Sequence, residues 1–248
     1  DLRDLHKEYR RQRQMCIRDS LKCPRCFYID RRLGVGQPPG FPFNINSAID
    51  HLLKKEFDEY RVSAQPHPLM RNADVNAVPC RHEQLDQWRT NFTGVQVHHK
   101  KTNLIIYGAI DDLWITPDDQ HLVVDYKATS KDAVVTIDAP WQDSYKRQIE
   151  IYQWLLRRNG LTVLDTGYFV YCNGRRNAPR FDARVEFDIS VIPYVGNDSW
   201  VENCVIDAHE CLTSDRVPEP TQNCDYCIYQ TAVTEVVQPN VQGKLNIG

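Results

Sequence analysis

Asp125 and Lys127 stand two positions apart in Val123-Val124-Asp125-Tyr126-Lys127, and Asp111 precedes them in Gly108-Ala109-Ile110-Asp111. Residues two apart on a strand share a face, so a strand here would aim a carboxylate and an ammonium at one spot. Apolar residues flank all three, from Leu104 to Ile110 and from Leu122 to Val124, which sets the charges against a core. Buried like charges are costly unless a proton or a cation neutralises them. A hard divalent ion, Mg²⁺ or Mn²⁺, held by oxygen ligands meets that need while keeping positions for water and phosphate oxygens. Such an ion lowers the pKa of a bound water and neutralises charge developing on a phosphate. Lys127, a compact ammonium on a flexible stem, would position the water or stabilise the transition state. The chemistry expected is phosphodiester hydrolysis. A plainer reading is a salt bridge flanking a turn.

Four of the nine cysteines form two Cys-x-x-Cys pairs, Cys23 with Cys26 and Cys224 with Cys227. Without a leader-like apolar stretch at the N-terminus a cytosolic location is expected, where thiols stay reduced, so metal binding is favoured over disulfides. Four thiolates suit either tetrahedral Zn²⁺ or an iron-sulfur cluster. Either would act as a clasp joining the two ends of the domain, its binding free energy becoming folding free energy. Cys16, Cys80, Cys172, Cys204 and Cys211 read as small core or surface residues.

These groups need a scaffold. Ile49, Leu52, Leu53 and Phe57 predict a helix over 46–60. Residues 104–115 and 121–129 predict a hairpin turning at Pro117-Asp118-Asp119-Gln120. Trp141, Tyr145, Ile149, Tyr152 and Leu156 form one stripe of a helix over 140–159, with Gly160 at its C-terminal cap. A strand over 166–172, an Asn173-Gly174 turn and a strand carrying Phe181, Ala183, Val185, Phe187 and Ile189 follow. Ser199 and Glu202 suggest a capping box ahead of a helix with Trp200, Val201, Cys204, Val205, Ala208 and Leu212. The sum is an α/β fold, a mixed β-sheet flanked by helices. Residues 1–20 are expected to be poorly structured and 21–248 to form one domain; 61–100, broken by Pro66, Pro68 and Pro79, carry no clear pattern.

With 42% hydrophobic and 25% charged residues the composition is that of a soluble globular chain. No apolar run approaches the roughly 18 to 20 residues of a membrane helix. A formal net charge of −3 leaves any nucleic-acid contact to local patches. Arg31-Arg32, Lys100-Lys101, Lys146-Arg147, Arg157-Arg158, Arg175-Arg176 and Lys131 are the candidates. Such patches would bind a phosphate backbone in a salt-dependent, sequence-tolerant way.

Gly-x-x-Asp ending at Asp111, Asp125-x-Lys127 and Gln148-x-x-x-Tyr152 on the next helix together resemble the RecB-type exonuclease branch of the PD-(D/E)XK nuclease superfamily. The resemblance implies a restriction-endonuclease-like core and a metal-dependent DNA nuclease acting on ends or single strands. It implies Asp111, Asp125 and the Tyr126 carbonyl as metal ligands and Lys127 as the catalytic lysine. Gln148 and Tyr152, on one helical face, would steer the active site or the DNA. The family often adds a ligand from an earlier helix, here His51 or, less favourably, Glu56. A subset that includes CRISPR adaptation nucleases pins its termini with a four-cysteine [4Fe-4S] cluster, one cysteine coming from the N-terminal side and three from the C-terminal side. The two-plus-two split here departs from that and keeps Zn²⁺ open. DNA is the partner implied, with proteins of a repair or adaptation complex. Two other functions fit the same residues: a nuclease fold that only binds nucleic acid, and a four-cysteine zinc protein whose hairpin carboxylates are structural.

Overall fold

Six consecutive residues, His121 to Tyr126, are buried, which requires cover on both faces of the strand they form. The structure, a computed structural model, describes residues 19–38, 44–91 and 93–245; the expectation for the first eighteen residues lies outside them. In chain order the elements are α1 (Pro24–Arg31), α2 (Asn44–Ser63), α3 (Pro68–Asn72), β1 (Val78–Pro79), α4 (Leu85–Trp88), β2 (Val95–His99) and β3 (Leu104–Gly108). Then come β4 (Asp112–Ile115), β5 (His121–Thr129), α5 (Asp143–Arg158), β6 (Thr166–Gly174), β7 (Phe187–Val195), α6 (Val201–Thr213) and α7 (Asp225–Leu245).

The main sheet has the order β1-β4-β5-β6-β7, and β2 with β3 makes a separate hairpin. Among the described strands β5 and β6 are the one parallel pair, and α5 supplies the crossover such a pair needs. The strand period of two then sorts side chains between two cores. Leu122, Val124 and Tyr126 pack with Leu53 and Phe57 of α2 and Met70 of α3. Val123 goes to the other face, with Ile149 and Leu155 of α5, Val201 and Val205 of α6, and Ile106 of β3. Asp125 and Lys127 share the parity of Val123, so they belong to the α5 face. That helix lies close to the sheet because Gly167 has no side chain: a Cβ there would stand 2.8 Å from Ile149 Cγ2 and 3.0 Å from the Val123 carbonyl. Among the described residues no helix is long and apolar enough to cross a membrane.

Several boundaries differ from the sequence reading. The helix expected over 46–60 extends to Asn44–Ser63, and the one over 140–159 begins as a 3-10 turn, Pro140–Gln142. The strand expected over 104–115 is two strands in two sheets, because the chain pairs with β2 up to Gly108 and with β5 from Asp112. Asn173-Gly174 is not a turn: both residues pair in the ladder, Gly174 with Phe187. Phe181 and Val185 are exposed in the connection before β7, where Asp182 and Ala183 adopt positive φ that interrupts any strand. Of that alternation only Phe187 packs, partly buried, against a core; Ile189 is exposed on β7, an edge strand carrying Pro193. The capping box also fails to form. Asn197 caps the preceding 3-10 turn by accepting from Ser199 N, and Glu202 is drawn away by His99, Lys101 and Arg158.

Candidate active site and four-cysteine cluster

Asp111 lies at the bend between β3 and β4 rather than inside a strand. Its neighbour Asp112 is registered with Val124, so Asp111 falls beside the next residues of β5, and the Tyr126 N–H donates to Asp111 Oδ2 at 2.8 Å. Asp125, with no exposed surface, is ion-paired with Lys127. Lys127 Nζ also donates to Gln148 Oε1 at 3.4 Å and lies 4.6 Å from the centre of the Tyr145 ring. Gln148 Nε2 in turn donates to the Tyr152 hydroxyl at 2.6 Å. Asp111, Asp125, Lys127, Gln148 and Tyr152 thus form one connected group across the bend, β5 and α5. Tyr152 is also buried in the core, so it packs and hydrogen-bonds at once. The start of α5 is set by Gln142, whose buried amide donates to the Thr136 carbonyl at 2.7 Å and accepts from Ala139 N at 3.0 Å.

Burial and the adjacent Asp125 charge push the Asp111 carboxyl up to about 7, against the opposing pull of Lys127 and Lys54. For Lys127, burial disfavours the ammonium, but the carboxylates of Asp125 and Asp111 outweigh it and hold the lysine above its usual range. A fully buried and a partly buried carboxylate that resist simultaneous ionisation offer oxygen ligands suited to a hard divalent cation. The raised carboxyl has a consequence for the metal-free protein. Between the unfolded value near 3.8 and the folded value of about 7 the native state holds the extra proton, so stability falls as pH rises through that window and levels off above it. Thermal melts from pH 4 to pH 8 should show this decline in the unaltered chain relative to Asp111→Asn, which has no proton to lose there. Parallel profiles for the two proteins would refute the assignment.

The helix that sequence reasoning credited with an extra ligand does approach the site. Lys54 Nζ is 3.8 Å from Asp111 Oδ1 and 2.8 Å from Asp50 Oδ2. His51 is exposed, three residues before Lys54 and hence on the same side of α2. Glu56 instead meets His67 Nε2 at 2.9 Å, which engages it elsewhere. Sequence reasoning missed Lys54, Tyr145 as a ring beneath Lys127, and above all Asp112. The spacing of Tyr145 three before Gln148 was a usable signal; the role of Asp112 had none. Asp112, fully buried, accepts from Arg61 Nη2 at 2.5 Å, Arg89 Nη2 at 2.7 Å, the Tyr126 hydroxyl at 2.8 Å and Leu113 N at 2.8 Å.

Cys23 precedes α1 and Cys224 precedes α7, while Phe27 packs against Ala208 and Leu212 of α6. The four Sγ atoms of Cys23, Cys26, Cys224 and Cys227 all lie within 4.8 Å of one another, with three of the residues buried. Burial opposes ionisation of Cys23, yet backbone N–H groups of Cys26 and Thr221 and the neighbouring thiols draw it down to about 6, while burial pushes Cys227 up to about 11. Such a cluster can bind a metal ion. Arg32 ties the same region to α6 through the Leu212 carbonyl, at 2.6 Å. Cys80, Cys172 and Cys204 are buried and Cys211 is half-buried, as expected of packing residues; Cys16 lies outside the described residues.

Many of the basic doublets are engaged in ion pairs. Arg157 binds Asp165 and Asp198, Arg158 and Lys101 bind Glu202, Arg175 binds Asp188, Arg176 binds Asp132, and Lys146 binds Asp143. The more exposed of these pairs, such as Arg175 with Asp188 and Arg176 with Asp132, contribute little to stability.

The chain matches the family model described as the PD-(D/E)XK nuclease superfamily over residues 17–232. No curated protein matches it significantly.

Proposed function

The chain belongs to the PD-(D/E)XK nuclease superfamily, and from that premise we propose that it is a metal-dependent deoxyribonuclease that hydrolyses phosphodiester bonds at DNA ends or in single strands. The observation that carries the proposal is the convergence of Asp111, Asp125, Lys127 and Gln148, from three separated motifs, on one partly buried spot. Asp111, Asp125, the Tyr126 carbonyl and His51 would hold Mg²⁺ or Mn²⁺, which supplies charge neutralisation at the phosphate and an acidified water.

The chain's own groups account for the rest. Lys127 stays charged across the working pH range and is held between Asp125 and Gln148 over the Tyr145 ring, so its ammonium is already oriented before a phosphate arrives. Gln148 acts as a positioning residue: its carbonyl fixes Lys127, and its amide is fixed by Tyr152. Gln148→Ala should lower cleavage by roughly 10- to 100-fold through misplacement of Lys127 while leaving the melting temperature nearly unchanged. Tyr152→Ala should lower both, because its ring fills the core. An equal loss of stability in the two variants would remove Gln148 from the site. Residues 21–248 would act as a single domain closed by the cysteine clasp, with DNA as the substrate and protein partners joining a larger repair or adaptation complex.

The direct test is incubation with end-labelled linear, circular and single-stranded DNA, with Mg²⁺ or Mn²⁺ and with a chelator. Ion-dependent shortening of linear or single-stranded DNA, with covalently closed circles spared, is the expected result. No cleavage of any DNA under either ion would overturn the proposal.

A further inference from the structure

The resemblance noted in the sequence suggests a four-iron cluster at the cysteines, with Zn²⁺ kept open by the two-plus-two split, and the sulfur geometry does not fit the cluster. Cys26 Sγ is 3.5 Å from both Cys224 Sγ and Cys227 Sγ, and Cys23 Sγ is 3.8 Å from Cys227 Sγ. No pair among the four exceeds 4.8 Å. A zinc-sulfur bond of about 2.3 Å at tetrahedral angles gives sulfur-sulfur edges of about 3.8 Å. In a cubane each thiolate binds a different iron and points outward from its own corner, which spreads the four sulfurs to roughly 6 Å apart. Sulfurs spaced as they are here enclose room for one small ion and none for four irons with four inorganic sulfides.

The connectivity agrees with the distances. Each Cys-x-x-Cys pair contributes two adjacent thiolates from the start of a helix, and the two pairs face each other. All four corners of a single tetrahedron are then filled by protein, with no open position for water or substrate. We infer that Cys23, Cys26, Cys224 and Cys227 form a closed, structural site for one tetrahedral Zn²⁺, joining the segment before α1 to the start of α7. The inference does not depend on the nuclease reading: the cluster lies on different elements from Asp111, Asp125 and Lys127.

The test uses the full chain, produced in medium supplemented with both iron and zinc and purified without oxygen. Elemental analysis should find one zinc per chain, no stoichiometric iron, no acid-labile sulfide and no absorption band near roughly 400 nm. Replacing the zinc with Co²⁺ should give the visible bands of a tetrahedral four-sulfur cobalt site. Cys26→Ser, at the least buried of the four, should lose most of the bound zinc. If that variant fails to fold, the metal content of the unaltered chain still decides. Iron and sulfide near four each per chain would overturn the inference, as would a folded protein holding neither metal. Because metal content is read without any DNA, an inactive protein that carries one zinc would refute the proposed nuclease and leave this site standing.

Discussion

Asp125→Asn and Lys127→Ala should each reduce DNA cleavage on the order of 10³-fold or more while the protein still folds. The two residues occupy one spot with Asp111, and neither belongs to the apolar clusters that hold the sheet to its helices, so removing either strips chemistry before packing. Asparagine keeps the shape of Asp125 and removes its charge, which also relieves the pressure on the Asp111 carboxyl. A folded Asp125→Asn protein with turnover near that of the unaltered chain would sink the assignment. The measurement pairs initial cleavage rates with circular dichroism melts, so that loss of chemistry and loss of fold are read separately.

Asp112→Ala should have the largest effect on stability, about 3 to 5 kcal/mol, because it leaves Arg61 and Arg89 buried without their carboxylate. Both arginine side chains are about nine-tenths covered, and Asp58, their other partner, is much more exposed than Asp112. The Tyr126 hydroxyl and the Leu113 N–H lose their acceptor in the same step. For a chain of this size the cost corresponds to a fall in melting temperature on the order of 10 °C. Activity should fall as well, since the network sits directly behind the bend that presents Asp111 and behind the strand that presents Asp125. A melting temperature within about 2 °C of the unaltered chain would show that the network does not anchor the fold.

These two neighbouring aspartates mark the boundary between what the chain's letters reveal and what they conceal. Asp111 could be picked out because Gly-x-x-Asp, Asp-x-Lys and Gln-x-x-x-Tyr occur in order at spacings that fit strand, strand and helix. Nothing local distinguishes Asp112. Its partners Arg61 and Arg89 come from α2 and from the end of α4, far away in sequence, and each reads alone as an ordinary surface charge. Charge patterns report burial poorly, since an arginine becomes a core residue only when a distant carboxylate completes it.

The elements follow the same division. The short apolar run of 121–126 after a turn and the apolar stripe of 143–158 are properties of contiguous residues, so β5 and α5 were legible together with the face carrying Asp125, Lys127 and Gln148. The break of 104–115 into β3 and β4 was not, because one continuous apolar run serves two sheets and only their partners decide where it divides. The alternation at 181–189 misled for the converse reason: a loop and the start of an edge strand can alternate while only Phe187 meets a core. The two Cys-x-x-Cys pairs named a metal site by residue type alone, but sequence spacing left both a four-iron cluster and a single zinc ion open. Only the folded chain sets four sulfurs within 4.8 Å of one another, because that distance depends on how α1 and α7 meet and on no feature of either segment by itself.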